Sequence, residues 1–123
     1  MDKVLQIIAG VFAAFFTLMA LRWVFDPSGA AEAIQMTLLD GAARSSQIGD
    51  IGAMFFAMAG FSAYGVWKKR AEFLFAASFV IGAAAVLRII ASLVHGAPLL
   101  LEVIIFELVV GTIWAAHARK LSA

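Results

Sequence analysis

Cysteine is absent from the 123 residues of the chain, and only 14% of the residues are charged. Without thiols the chain has no disulfide, no thiol redox couple and no Cys-ligated zinc or iron–sulfur cluster. Redox chemistry would therefore need a bound cofactor. We predict no cofactor for this chain, although a lipid or a quinone is a possible bound molecule. The chain also lacks a basic tail or face, so nothing in it indicates nucleic acid as a partner.

Hydrophobic residues make up 64% of the chain, with a mean hydropathy of +1.01, far above the roughly 45 to 50% apolar content of soluble domains. Only helices and closed barrels satisfy every backbone group in hydrocarbon, and the long apolar runs favour helices. The sequence therefore predicts an all-α integral membrane protein, a four-helix bundle in which residues 1–123 form one domain.

Four spans are predicted, at about 4–25, 50–67, 72–94 and 99–116. After the first, Asp26 and Pro27 have the residue types of an N-cap and a first helical position. We expect a short interfacial helix from there to about Met36, followed by an irregular segment with a polar loop at 44–47. Residues 117–120, which follow the last span, are expected to lie in water.

Basic residues are distributed unevenly along the chain. With four spans, one side holds six of them (Lys3, Lys68, Lys69, Arg70, Arg119 and Lys120), and the other holds Arg22 and Arg44. Basic loops stay on the cytoplasmic side. We therefore expect both termini in the cytoplasm of a bacterial cell, with the protein in its inner membrane.

Arg88 and Glu107 are charged residues inside apolar spans, where such groups are costly and rarely accidental. Counted from the turn at Gly96, both lie roughly 9 to 12 Å deep on consecutive helices. Glu102 is five residues from Glu107, about 140° around the same helix. We expect Arg88 to pair with Glu107, and Glu102 to face the outer mouth of the bundle.

The same leaflet holds further polar side chains, and together they define a candidate ligand-binding cluster: Arg22, Asp50, Arg88, Ser92, His95, Glu102 and Glu107. A structural ion pair explains Arg88 and Glu107 about as well as a ligand site does. Arg22 and Asp50 also have the position of interface anchors, and His95 that of a solvated turn residue.

Metal binding is not predicted. The spacing of Glu102, Glu107 and His95 matches no strong metal motif, and His95 and His117 fall at opposite membrane faces. The methionines and phenylalanines of the second span are expected to pack or to face lipid.

Four short motifs give the chain a family resemblance: residues 22–27 (RWVFDP), residues 49–52 (GDIG), residues 88–92 (RIIAS) followed by 95–98 (HGAP), and a glutamate in the last span. In these it resembles an uncharacterised branch of the DoxX-like small four-helix bacterial membrane proteins. The resemblance implies the bundle and a polar outer-leaflet site at Arg22, Asp50, Arg88 and Glu107. Some proteins of that group are accessory subunits of quinone-linked oxidoreductases, but the branch implies no reaction.

Three functions are compatible with these residues. The first is a non-catalytic module, either an accessory subunit of a larger membrane complex or a binder of a lipid or quinone. The second is an enzyme acting on a lipid-soluble substrate through a buried Glu/Arg pair. The third, a small homo-oligomeric proton-coupled transporter, is disfavoured by the strong charge bias and by carboxylates away from the midplane. We expect the first.

Overall fold

Helices make up 87% of the computed structural model, which describes residues 2–123. Within that range there are no strands, and the elements are six α-helices and one π-helical turn: α1 (Asp2–Phe25), α2 (Pro27–Ala33), α3 (Gly41–Ser46), the π turn (Gln47–Ile51), α4 (Gly52–Lys68), α5 (Ala71–His95) and α6 (Leu101–Ser122). The predicted all-α class is confirmed.

Three of these helices, α1, α5 and α6, are long and apolar enough to cross a membrane. They contain 24, 25 and 22 residues, which at about 1.5 Å per residue exceeds the roughly 30 Å of a hydrocarbon core. Most of each helix is not buried inside the protein, as expected for segments whose outer faces meet lipid. The chain is therefore that of a membrane protein.

The four long helices pack in a ring, in which α1 contacts α4, α4 contacts α5, α5 contacts α6 and α6 contacts α1. Lys120 lies 3.8 Å from Asp2, whereas Phe106 lies beside Phe15, so α6 runs antiparallel to α1. We call the end of the ring that carries α2 the α2 end, and the opposite end, with Asp2 and Lys120, the basic end.

Large side chains fill the middle of the ring. Trp23, Trp114, Leu74, Ile81 and Val110 are fully buried. The Trp114 indole Nε1 donates a hydrogen bond of 3.2 Å to the carbonyl oxygen of Ala9, which links α6 to α1 across the core. A buried indole N–H is costly without an acceptor, so this hydrogen bond fixes the orientation of the Trp114 side chain.

Two chain turns at the α2 end follow the predicted residue chemistry. Asp26 caps α2 by accepting a hydrogen bond from the Gly29 amide at 3.2 Å, and Pro27 is the first helical residue. Gly96 ends α5 in the left-handed conformation, with φ of 69°, which glycine adopts without a Cβ penalty.

The prediction of a polar loop at 44–47 is wrong. Arg44 to Ser46 belong to α3, and Gln47 begins the π turn, so helical backbone continues from Gly41 to Lys68. The helix predicted from Asp26 to about Met36 is also shorter than predicted. It ends at Ala33 because Gln35 has a positive φ of 66°, and the amides of Ile34 and Met36 both donate to the carbonyl of Ala31.

The end of the last helix also differs from the prediction. Residues 117–120 are helical rather than a tail in water, and α6 continues to Ser122. His117 and Ala118 are buried at the basic end, where Lys120 lies beside Asp2 of α1. Burial of the inner face of this extra turn accounts for the longer helix.

A candidate hydrophobic-ligand site

Arg88 and Glu107 join α5 to α6. The Nε of Arg88 donates a hydrogen bond of 3.0 Å to Oε1 of Glu107, and the two side chains are 24% and 10% exposed. The predicted pairing of these residues is confirmed. Among residues 2–123, the terminal amino groups of Arg88 make no hydrogen bond to protein, so they remain available as donors.

A cavity of about 400 Å³ lies beside this ion pair, at the α2 end of the ring. Both Arg88 and Glu107 line it, and half of its fourteen lining residues are phenylalanines and methionines. The lining residues are Phe15, Phe16, Met19 and Arg22 of α1; Ala33 and Ile34; Met54, Phe55 and Met58 of α4; Arg88 of α5; and Glu102, Val103, Phe106 and Glu107 of α6. Its volume falls in the range of small-molecule sites, about 300 to 1,000 Å³.

Arg22 adds a second guanidinium to the cavity wall. Its terminal nitrogen lies 3.4 Å from Oδ2 of Asp26, and this ion pair is solvent-exposed. Since Asp26 also caps α2, Arg22 connects the cavity to the helix that covers it. Gly29 leaves space for both side chains, because a Cβ at this position would collide with Arg22 and Asp26.

Glu102 is exposed in the first turn of α6 and lines the cavity from its rim. This position agrees with the expected outer mouth. A carboxylate there is favoured by the N-terminal end of the helix dipole. Glu102 and Glu107 thus contribute one exposed and one buried carboxylate to the same cavity.

The other members of the predicted cluster lie outside the cavity. Asp50 is exposed on the π turn, and His95 is exposed at the end of α5. Ser92 is half-buried, but it is not a lining residue. The cavity therefore brings together Arg22, Arg88, Glu102 and Glu107 of the predicted cluster, and Asp50, Ser92 and His95 are not among its lining residues.

Sequence reasoning missed the apolar half of the site. Met54, Phe55 and Met58 line the cavity, although they were expected only to pack or to face lipid. Met54 and Met58 are separated by about one helical turn and therefore share a face of α4. This spacing is the sequence pattern that could have indicated a methionine-lined wall. Thioethers are flexible and polarisable, so a methionine-rich wall adapts to ligands of different shape.

Chemically, the cavity offers hydrogen-bond donors at one end and an apolar wall elsewhere. The lining contains two guanidiniums, Arg22 and Arg88, and two carboxylates, Glu102 and Glu107, so its formal charges balance. Within residues 2–123, no three His, Asp or Glu side chains lie close enough together to hold a metal ion. The arrangement suits an amphiphile whose small polar head accepts hydrogen bonds.

Comparisons of the chain with protein-family models, with curated proteins and with solved structures find no match. The cavity and its ion pair therefore carry the functional interpretation by themselves.

Proposed function

We propose that this protein binds a hydrophobic ligand, a lipid or a quinone, whose polar head lies against Arg88 and Glu107. The observation that carries the proposal is the cavity of about 400 Å³ beside this ion pair. A structural ion pair alone would need no adjoining space. Ligand sites characteristically combine a mainly apolar wall with a few placed polar groups.

We further propose that the chain crosses the membrane four times, with α4 as a span in addition to α1, α5 and α6. Its 17 residues cover about 26 Å at 1.5 Å per residue, and the helical backbone on its N-terminal side adds to that length. With the basic end in the cytoplasm, as the six basic residues there favour, both termini are cytoplasmic and the cavity lies in the outer leaflet. The proposed location is the bacterial inner membrane.

A role without catalysis is the simplest use of this site. Glu107 is hydrogen-bonded to Arg88, and no nucleophile with its own base lines the cavity. The DoxX-like resemblance is compatible with an accessory subunit that holds a lipid-soluble molecule for a larger complex.

Native mass spectrometry of the protein released from membranes tests ligand binding. We expect a co-purified hydrophobic molecule on the native protein that is lost from Arg88→Met. The matched control is Arg44→Met, because Arg44 forms an exposed ion pair with Asp40 and is not a cavity-lining residue. Equal ligand occupancy in the native protein and Arg88→Met, or an empty native protein, would contradict the proposal.

A further inference from the structure

The seam between α1 and α6 is closed at the cavity by two aromatic side chains, Phe15 and Phe106. Their rings pack edge to face with centroids 5.6 Å apart. Both residues line the cavity, and they are 42% and 37% exposed. Each ring is therefore a lining side chain that the protein does not fully enclose.

The outer surfaces of these two rings belong to the apolar faces of their helices. On α1, Phe15 is four residues after Val11 and three before Leu18, and both neighbours are more than half exposed. On α6, Phe106 lies three residues before Val109, which is also exposed. Residues at this spacing share a helix face. In a membrane this face meets the acyl chains, so Phe15 and Phe106 separate the cavity from lipid.

Phe16, by contrast, is held within the core. It is nearly completely buried and packs on Phe55 and Trp114, with ring centroids 5.9 and 5.5 Å away. Phe15 and Phe106 also pack on Phe16, with ring centroids 5.2 and 6.1 Å away, but they are only partly enclosed by protein. They are the least buried aromatic side chains of the cavity wall, and a rotamer change costs least there.

We propose that Phe15 and Phe106 form a lateral portal through which a membrane-dissolved amphiphile enters the cavity from the outer leaflet. Its polar head reaches Arg88 and Glu107, while its chain passes between the two rings and remains in the bilayer. The ligand class is therefore a lipid-soluble molecule with a hydrogen-bond-accepting head and a long apolar tail. This inference rests on the proposed ligand-binding function and adds the entry route and the tail.

The absence of cysteine permits a direct test with one introduced thiol. Met58→Cys places it in the cavity at a position only 2% exposed. The protein in phosphatidylcholine vesicles is treated either with a long-chain alkyl maleimide, which dissolves in the bilayer, or with a sulfonated maleimide, which does not. Alkylation is followed by intact mass, and the protein unfolded in detergent gives the labelling of a fully accessible thiol.

We expect the alkyl maleimide to label Met58→Cys and the sulfonated one to leave it unmodified. Adding Phe106→Ala should raise the alkyl labelling rate roughly tenfold, the change produced by about 1.4 kcal/mol in a barrier. Phe15→Ala should act in the same way and serves if Phe106→Ala fails to fold. The control is Phe79→Ala on α5, which is 76% exposed and lines no part of this cavity.

Three outcomes would overturn the portal: equal labelling by both reagents, which indicates an aqueous route past Glu102; labelling by neither reagent; or an alkyl rate unchanged by Phe106→Ala and Phe15→Ala in folded protein. Labelling is therefore measured on protein that native mass spectrometry shows to be free of ligand, so that none of these outcomes reflects a ligand blocking the thiol. A ligand seen by native mass spectrometry without a working portal overturns the route alone, and a working portal on an empty protein overturns the ligand alone.

Discussion

Arg88 of α5 and Glu107 of α6 share a hydrogen bond of 3.0 Å beside the largely apolar cavity that both residues line. Burying two charged side chains in such surroundings has a high desolvation cost, which their mutual attraction offsets. Removing one partner leaves the other as an uncompensated buried charge, which destabilises the fold. The pair therefore constrains the packing of the two helices and is also the polar end of the candidate site.

The first prediction concerns the energetic coupling of this pair. Arg88→Met should lower the free energy of unfolding by about 3 kcal/mol, since an uncompensated buried carboxylate remains. Combining it with Glu107→Leu should restore part of that loss, which is measured by denaturant unfolding in detergent micelles. The same cycle on the exposed pair Arg70 and Glu72 should give a much smaller coupling, because solvent screens that pair. A double variant no more stable than the worse single one would disprove the coupling.

Gly29 is predicted to be required for the cap of α2. In Gly29→Ala the new methyl group would overlap the ends of the Arg22 and Asp26 side chains, so these side chains must shift and the cap or the ion pair is weakened. We expect a loss of about 1 kcal/mol, the usual worth of an N-cap, together with faster proteolysis of residues 26–40. Gly82→Ala is the control, because a Cβ there meets no atom within 4 Å. An unchanged proteolysis rate in Gly29→Ala would show that the cap does not hold this segment.

Trp114 provides a test of the core. Trp114→Phe removes the hydrogen bond to the Ala9 carbonyl and leaves space where the larger ring was, so the thermal midpoint should fall with a loss of roughly 1 to 3 kcal/mol. Trp67→Phe should change the midpoint little, because Trp67 is 72% exposed at the end of α4. Equal midpoints for the two variants would mean that the indole bond contributes nothing.

Gln47, at the start of the π turn, is predicted to hold the segment after α2. Its Oε1 accepts a hydrogen bond from the Leu39 amide at 2.8 Å, and its Nε2 donates to the Thr37 carbonyl at 3.0 Å. In Gln47→Leu the Leu39 amide should exchange its hydrogen with solvent roughly tenfold faster, as expected for the loss of about 1.4 kcal/mol of protection. Ser46→Ala, at an exposed neighbouring position, is the control, and identical Leu39 exchange in both variants would contradict this role.

Hydropathy and depth counting predicted much of the fold. The bounds of α1 and α5 fall within two residues of the predicted spans, because long apolar runs bounded by charge or glycine admit one interpretation. The partnership of Arg88 with Glu107 was also predictable, since equal distance from one tight turn puts two residues at one depth. Both inferences use only the regular rise of a helix.

The π turn, the end of α6 and the cavity could not be predicted, because they depend on packing between helices that the residue pattern of a single segment does not encode. The π turn at 47–51 has no periodicity of its own, so the polar residues just before it were predicted to form a loop rather than helix. The last turn of α6 has polar residues, yet His117 is buried at the end where the helix meets α1. The cavity is the space left between several segments, and no single segment reveals it.

A high-resolution density map of the protein in lipid nanodiscs tests the central claim most directly. We predict elongated non-protein density in the cavity, with its head within hydrogen-bond distance of Arg88 and its tail between Phe15 and Phe106. A cavity without such density, or one closed by Phe55 and Met58 collapsing onto Phe16, would contradict the claim and leave Arg88 and Glu107 as a structural ion pair.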